Sequence, residues 1–500
     1  MNILSFEFLF LVAVTLGFYY LLPIRVRWLA LFVGSVFFIL SAGWSSALHL
    51  TAIAAITWVG GSALSVLKRR KKGLLAFLLL LDLGAMFFLK YEPSVAAWIN
   101  GWGETSKVSL PVWDLVVPLG LSYFTFQSAG WLIDIYRGKA VMQKNPLKAW
   151  LFVGYFPQLA QGPISSWKEL GDTLLTGHRL DPVTFVSGFQ LMLWGYFKKL
   201  VIADRLALTT SFLLGTADEL PGWMILGGAV FYTIRLYADF SGGMDVVRGI
   251  SRMFGTELPE NFRRPFFSKS VAEYWQRWHI TLGAWFRSYL LYPLTTSRAG
   301  IAFGKKASAV LGKKTGRMLP SALATLLVFL CIGVWHTANW NAVIYGAYFG
   351  LLMSCSMLLQ PVWRSMNRRL RLKERKGIHT VRMIRTWILI TAAQYFAFTS
   401  GPGQAWRLFR CSFLNWSFSG FAERICAVMP WLEWGIAGIS LLLLLAVDIL
   451  CECRVNVCDR LARTHVWIRW PVLLLLLLAV FVFGMYGPDY DGTAFLYTQF

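Results

Sequence analysis

The chain contains few charged residues, and acidic ones are especially rare. Only 15% of its 500 residues are charged, and 25 Asp and Glu stand against 48 Lys and Arg, which gives a formal net charge of +23. With 57% hydrophobic residues, the composition excludes an ordinary soluble, disordered or collagen-like protein. The basic residues form short clusters between apolar runs, which argues against a nucleic-acid-binding stripe. The composition therefore predicts a membrane protein.

Cysteine is also scarce, and its seven copies form no disulfide framework. Cys451, Cys453 and Cys458 lack the paired C-x2-C spacing of a zinc site, so we expect no bound metal. The sequence lacks a G-x-S-x-G elbow, a Walker loop and an H-E-x-x-H pair. These absences disfavour hydrolysis through a serine and pumping driven by a nucleoside triphosphate. No internal repeat is visible, which weakens the case for an inverted-repeat transporter.

Apolar runs organise the whole chain. About twelve of them are candidates to cross the ~30 Å hydrocarbon core as helices. Basic residues in short loops mark the cytoplasmic side, and the cluster 68–72 places the N-terminus outside. Residues 150–164 are apolar but short and are interrupted by proline and glycine. This pattern favours a re-entrant segment, which must be buried in protein or line a cavity.

The first histidine of interest lies in a polar, aromatic stretch. Ser270 and Glu273 have the spacing of a capping box and predict the start of a helix. Continued as one helix, this segment places Trp275 and His279 on one apolar face. His279 then lies among basic residues on the inner side. An alternative is an interfacial amphipathic helix with an incidental histidine.

The second histidine ends an apolar run at residues 319–335. An ionisable side chain at membrane depth is a functional hypothesis by default, and the sidedness puts His336 towards the outer leaflet. The alternative is a histidine that only donates to a carbonyl at a helix end. Imidazole titrates near neutrality, so it could take a proton from an alcohol that attacks an activated carbonyl. Such chemistry would need a passage that links His279 and His336.

Several short motifs, in order, resemble the membrane-bound O-acyltransferase (MBOAT) family in its bacterial branch that modifies cell-surface polymers. They lie at residues 118–127, 132–138, 156–159, 162–164, 239–243, 259–265, 275–279, 335–336 and 345–346. The resemblance implies an all-α polytopic fold shaped as a funnel, with re-entrant and amphipathic segments. It divides the chain into N-terminal transmembrane helices at 1–110, a catalytic core at 111–360 and C-terminal transmembrane helices at 361–500.

The same resemblance implies the site residues. His336 is expected to be catalytic and His279 to be a second active-site residue. The substrate-binding region is expected to contain Asn261, Trp275, Arg277, Asp239 and Trp335. Two positions depart from the family pattern, Thr337 in place of glycine and Ser288 in place of an acid. Neither departure removes an expected catalytic histidine.

The chain length, the extra C-terminal spans and the ending at residues 487–500 are similar to the alginate-type branch, which favours acetyl transfer. The donor would be a cytoplasmic thioester, acetyl-CoA or an acylated carrier protein, and no bound cofactor is expected. The acceptor would be an extracytoplasmic polysaccharide or peptidoglycan, with an esterase-like partner protein outside a bacterial cytoplasmic membrane. Two alternatives stay open: D-alanyl transfer from a carrier protein to teichoic acid, and a non-enzymatic transporter of polysaccharide precursors.

Overall fold

The structure is a computed structural model that describes residues 1–101, 111–113, 115–216, 220–369 and 377–486. Within these ranges the chain is dominated by helices and contains no β-strand. The prediction of an all-α polytopic protein is therefore confirmed. The ending at 487–500, which entered the comparison with the alginate-type branch, lies outside the described residues.

Twenty-four α-helices follow one another along the described part of the chain, and they can be taken in three successive groups. The first group contains α1 (Phe6–Leu21), α2 (Arg27–Ser41), α3 (Trp44–Val66) and α4 (Lys71–Gly101). The middle group contains α5 (Leu121–Tyr136), α6 (Pro146–Gly154), α7 (Phe156–Gln161), α8 (Asp172–Leu175), α9 (Pro182–Tyr196), α10 (Asp204–Thr216), α11 (Gly222–Met253), α12 (Val271–Arg277), α13 (Ile280–Phe286), α14 (Tyr292–Thr296), α15 (Arg298–Leu311), α16 (Lys313–His336) and α17 (Trp340–Leu358). The last group contains α18 (Gln360–Arg369), α19 (Ile378–Phe398), α20 (Pro402–Cys411), α21 (Phe421–Val428), α22 (Trp431–Glu452), α23 (Val457–Arg463) and α24 (Val466–Phe483).

Seven helices in the described residues are long and apolar enough to span a membrane. They are Ile24–Ser41, Trp44–Val66, Lys71–Asn100, Lys313–His336, Trp340–Leu358, Trp431–Glu452 and Val466–Phe483. The expected count of about twelve is not confirmed, since other apolar runs form shorter or more polar helices. The helix α1, for example, has only 16 residues, and α11 carries several charged residues along its length.

The longest helix among the described residues, α11, lies in the core. Most of its 32 residues are buried, and it packs against α7, α9, α10 and α19. Small residues permit the close approach of α9, because a Cβ atom added at Gly195 would lie 2.5 Å from the carbonyl oxygen of Gly242. By contrast, the most apolar windows of α22 and α24 are only 17% and 11% buried. These outer helices are suited to face lipid.

The segment predicted to be re-entrant consists of two short helices. The helices α6 and α7 are separated by a break at Tyr155, and the chain then runs extended from Gly162. Buried side chains satisfy the interrupted backbone. Gln127 donates to the carbonyl of Phe152 at 2.6 Å, and the amide of Phe156 donates to a serine hydroxyl at 3.1 Å. The segment is thus buried within the protein, as non-helical backbone in a membrane must be.

Candidate active site

The segment that carries His279 is broken into two helices. Its start is as predicted, because the hydroxyl of Ser270 accepts a hydrogen bond from the amide of Glu273 at 3.1 Å. The helix α12 ends before Trp278, and α13 begins after His279, whose backbone has a φ of +45°. The prediction of one continuous helix with Trp275 and His279 on a common face is therefore wrong. A non-glycine residue in this conformation is strained and must be held by its surroundings.

Asn261 supplies that support. Its side-chain oxygen accepts hydrogen bonds from the backbone amide and the hydroxyl of Thr281, each at 3.0 Å, and lies 3.2 Å from Nδ1 of His279. A backbone N–H can only donate, so the amide of Thr281 identifies this Asn261 atom as the oxygen. Nδ1 of His279 must then carry the proton in the neutral ring, and Nε2 carries the lone pair.

The second histidine lies at the C-terminal end of α16 and is about half-buried. Close packing of α16 and α17 positions this end. A Cβ atom added at Gly333 would lie 2.3 Å from the carbonyl oxygen of Ala342, and one added at Gly346 would lie 2.5 Å from that of Phe329. Small residues at such contacts let helix backbones approach closely in membranes. His336 is therefore placed by a contact that has no room for larger side chains.

Two residues of α4 also hold this helix end. Nζ of Lys90 donates to the carbonyl of Trp335 at 2.5 Å, and the hydroxyl of Tyr91 donates to the carbonyl of Val334 at 2.9 Å. The last carbonyls of a helix lack partners within the helix, and a cation there also complements the helix dipole. Lys90 was not among the predicted site residues, although a lysine at the end of the apolar run 73–89 was a signal that could have found it.

Trp335 brings the two histidines into one region. The centroid of its ring lies 4.7 Å from that of His336 and 6.4 Å from that of His279. Its indole also stacks with Phe126 at 5.6 Å. The structure therefore places both predicted histidines beside a single buried aromatic side chain, although they come from segments more than fifty residues apart in sequence.

His336 lines a cavity of about 180 Å³. The cavity wall is largely aromatic and polar and includes Tyr232, Trp275, Trp278, Thr337, Asn341 and Tyr345. The departure at Thr337 thus places a hydroxyl-bearing side chain on the wall itself. His279 does not line this cavity, although the preceding residue, Trp278, does. Continuity between the two histidines through a passage stays a prediction.

Trp275, one of the residues that line this cavity, carries a hydrogen-bond donor without a described partner. Its indole nitrogen is buried and has no acceptor in the described part of the chain. The ring itself is held by edge contacts with Phe329 and Phe349, at 5.1 and 5.0 Å between centroids. A buried polar group without a partner calls for an explanation such as a catalytic role. A ligand atom that reached this N–H could accept its hydrogen bond.

Two other predicted site residues, Arg277 and Asp239, form ion pairs with neighbouring side chains. Arg277 makes two hydrogen bonds to Glu452, at 2.9 and 3.0 Å, and a third to Glu273 at 2.7 Å. Asp239 accepts from Nζ of Lys199 at 2.7 Å, with both side chains only 2% exposed. Neither side chain lines the histidine cavity. The geometry therefore suits these residues to positioning the helices that form the site.

The described residues contain no group of three or more His, Cys, Asp or Glu that could hold a metal ion. What the site does contain is the imidazole of His336 on a cavity wall, the imidazole of His279 nearby and the buried indole nitrogen of Trp275. These are the features of a membrane-embedded enzyme of the acyl-transfer class.

No model of a known protein family matches the chain, but individual proteins do. The probable alginate O-acetylase AlgI of Azotobacter vinelandii is 32% identical over 431 residues, which cover 83% of this chain and 78% of that protein. The peptidoglycan O-acetyltransferase of Helicobacter pylori is 29% identical over 305 residues, 55% of this chain and 54% of that protein. The teichoic acid D-alanyltransferase of Bacillus subtilis is 29% identical over 263 residues, 49% of this chain and 60% of that protein.

The chain belongs to the membrane-bound O-acyltransferase family. It is a multi-pass membrane protein and an O-acyltransferase. The resemblance seen in the sequence motifs is therefore confirmed, and the transporter alternative gives way to an enzyme.

Proposed function

We propose that the protein transfers an acetyl group from a cytoplasmic thioester to hydroxyls of an extracytoplasmic polysaccharide or peptidoglycan in a bacterial cytoplasmic membrane. The preference for acetyl rests on similarity: the alginate O-acetylase matches 83% of the chain, whereas the D-alanyltransferase matches 49%. The observation that carries the proposal is the imidazole of His336 on the wall of a cavity. A thioester and an alcohol that meet in this cavity would both lie within reach of the imidazole.

In the proposed reaction His336 is the general base. Its imidazole takes the proton of the acceptor hydroxyl while that oxygen bonds to the thioester carbonyl carbon. The carbonyl oxygen becomes negative in the tetrahedral intermediate, and the indole N–H of Trp275 donates to it. The carbon–sulfur bond then breaks, and the protonated imidazole returns its proton to the leaving thiolate. The products are an O-acyl ester and a free thiol.

His279 and the remaining predicted residues support this step. Asn261 fixes the tautomer of His279, so its Nε2 can accept a proton or a hydrogen bond. We assign Asn261, Arg277 and Asp239 as positioning residues, since their polar atoms bind neighbouring side chains. The ring of Trp335 lies beside both histidine rings. An extracytoplasmic esterase-like protein is the expected partner for final delivery to the polymer.

The decisive experiment compares His336→Ala with His379→Ala in whole cells. His379 is an exposed histidine near the start of α19 and serves as a matched control. We expect His336→Ala to abolish O-acetylation of surface glycans, measured by mass spectrometry, while the protein still accumulates in the membrane. His379→Ala should retain wild-type acetylation. Full acetylation in the His336 variant would overturn the proposed role.

D-alanyl transfer is the second candidate, because two relatives with 29% and 26% identity are teichoic acid D-alanyltransferases. The two reactions differ in their donors. Membrane vesicles that hold the protein should incorporate label from acetyl-CoA or an acetylated carrier if the first proposal is correct. Labelling only from a D-alanyl carrier protein would select the second.

A further inference from the structure

A second cavity lies away from the histidines, at the C-terminal end of α17. Its volume is about 650 Å³, and it is bounded by α18, the first turns of α19 and the residues just before α12. The lining side chains in the described part of the chain include four bases and no acid. The four bases are Lys269, Arg364, Arg382 and Arg385.

The described residues do not neutralise the positive charge of this cavity. Arg382 donates to the amide oxygen of Asn367 at 3.3 Å, and Arg385 donates to the carbonyl of Lys269 at 2.9 Å. Both acceptors are neutral. None of the ion pairs between described residues involves a base of this cavity. Four like charges around one cavity repel one another and would be stabilised by an anion.

The neighbouring helix α18 indicates where that anion comes from. Val362, Trp363 and Met366 form an exposed apolar stripe, with 60%, 46% and 36% of each residue accessible. Arg364 and Arg368 lie at helical spacing on the other side of α18. Trp363 and Met366 also line the cavity, together with Arg364. A short helix with this division of side chains lies in the interface of a bilayer, with its basic face among the headgroups. The cavity therefore opens where lipid headgroups are concentrated.

We propose that this basic cavity binds the phosphate headgroup of an anionic phospholipid. Basic pockets between membrane helices have the charge and the depth to take such headgroups. The apolar part of the lining, which includes Met353, Met357 and Val381, can contact the glycerol and the upper acyl chain. A water-soluble polyanion would gain nothing from contact with this apolar wall or with the exposed apolar stripe of α18.

The bound lipid would also brace the segment that leads into the active site. Besides the bond from Arg385 to Lys269, the indole of Trp387 donates to the carbonyl of Phe266 at 3.2 Å. Both acceptors directly precede α12, which carries Trp275 into the histidine cavity. A headgroup that neutralises Arg382 and Arg385 would hold α19 against this segment.

The test measures lipid binding by the full chain in phosphatidylcholine nanodiscs with and without phosphatidylglycerol. Lipid that stays bound after detergent extraction is identified by native mass spectrometry. The test variant is Arg382→Gln with Arg385→Gln. Each base near an anionic lipid accounts for roughly a fivefold change in affinity, so the double variant should bind phosphatidylglycerol about 25-fold more weakly by the same additive estimate.

Two control variants separate charge at this cavity from charge in general and from folding. Lys305→Gln with Lys306→Gln removes two exposed bases from α15 and should retain wild-type binding. Arg382→Lys with Arg385→Lys keeps both charges and should bind within a few-fold of wild type. Equal retention of phosphatidylglycerol in all variants would overturn the proposal. Displacement of bound lipid by free CoA, with binding of CoA in lipid-free detergent, would also overturn it in favour of a nucleotide site.

Discussion

Trp275→Phe should lower the rate of acyl transfer without lowering stability. The indole nitrogen of Trp275 is buried and meets no acceptor among the described residues, and an unmet buried donor costs about 1–3 kcal/mol. Phenylalanine removes that donor and keeps a ring against Phe329 and Phe349. Removal of the unpaired N–H is favourable, and this gain offsets the packing that is lost around the smaller ring. We therefore expect the free energy of unfolding to change by less than about 1 kcal/mol.

The rate should respond differently because a donor to the developing oxyanion is worth about 10²- to 10³-fold in kcat. The assay measures initial rates of acetyl transfer in membranes, normalised to protein, alongside thermal unfolding in detergent. Trp131→Phe is the matched control: its indole nitrogen is also buried without a described acceptor, and its ring stacks on Trp167 at 4.3 Å. The control should keep the wild-type rate. Wild-type rates in Trp275→Phe would refute the assignment of this N–H to the oxyanion.

Substitutions at three further positions, Lys90, Asn261 and Gly346, probe the supports of the two histidines. Lys90→Met removes the hydrogen bond to the carbonyl of Trp335, so it should destabilise the protein by about 1.5–3 kcal/mol and reduce turnover. Lys90→Arg should restore part of the stability and part of the turnover. Thermal shift measures the stability, and the initial rate measures the turnover. Asn261→Ala leaves the amide and hydroxyl of Thr281 unpaired and should lower the free energy of unfolding by about 2–6 kcal/mol. Asn261→Asp keeps the acceptor oxygen and should be less destabilising. An equal loss of stability in the two variants would contradict this account. Gly346→Leu should force α16 and α17 apart and abolish both accumulation and activity, whereas Gly227→Leu, at a position with open space around it, should leave protein levels on immunoblots unchanged.

Much of the architecture could be predicted because hydrophobicity and charge act along the sequence. Long apolar runs predicted the helical spans, and the proline and glycine within residues 150–164 predicted a broken, buried segment, which α6 and α7 form. The number of spans was harder to predict. Most residues of α11 are buried, yet the helix also contains Asp239. The carboxylate of Asp239 forms an ion pair with Lys199, which comes from another segment. A partner distant in sequence is invisible to a local hydropathy pattern.

The sequence singled out the two histidines that lie beside Trp335, but not the side chains that hold them. The position of His336 at the end of an apolar run was sufficient to select it, because an ionisable group at such a depth is costly. Nothing near His336 in sequence pointed to Lys90 or Tyr91, which reach its helix end from α4. Hydrogen bonds of this kind depend on tertiary packing, so only the folded chain shows them.

The backbone at His279 shows most clearly why local pattern was insufficient. Periodicity favoured a continuous helix through Trp275 and His279, yet the chain leaves the helix at Trp278 and turns through a left-handed conformation. The carbonyl of Asn261 accepts from the amide of Ile280 at 3.0 Å, and its side chain holds the next residue as well. These contacts come from a loop about twenty residues earlier, and they stabilise a conformation that the local sequence disfavours. The break separates the direction of Trp275, which faces the cavity, from that of His279, which lies beside Trp335. A single straight helix would have carried both side chains to the same wall, so the strained turn is what allows one short segment to supply two different sides of the site.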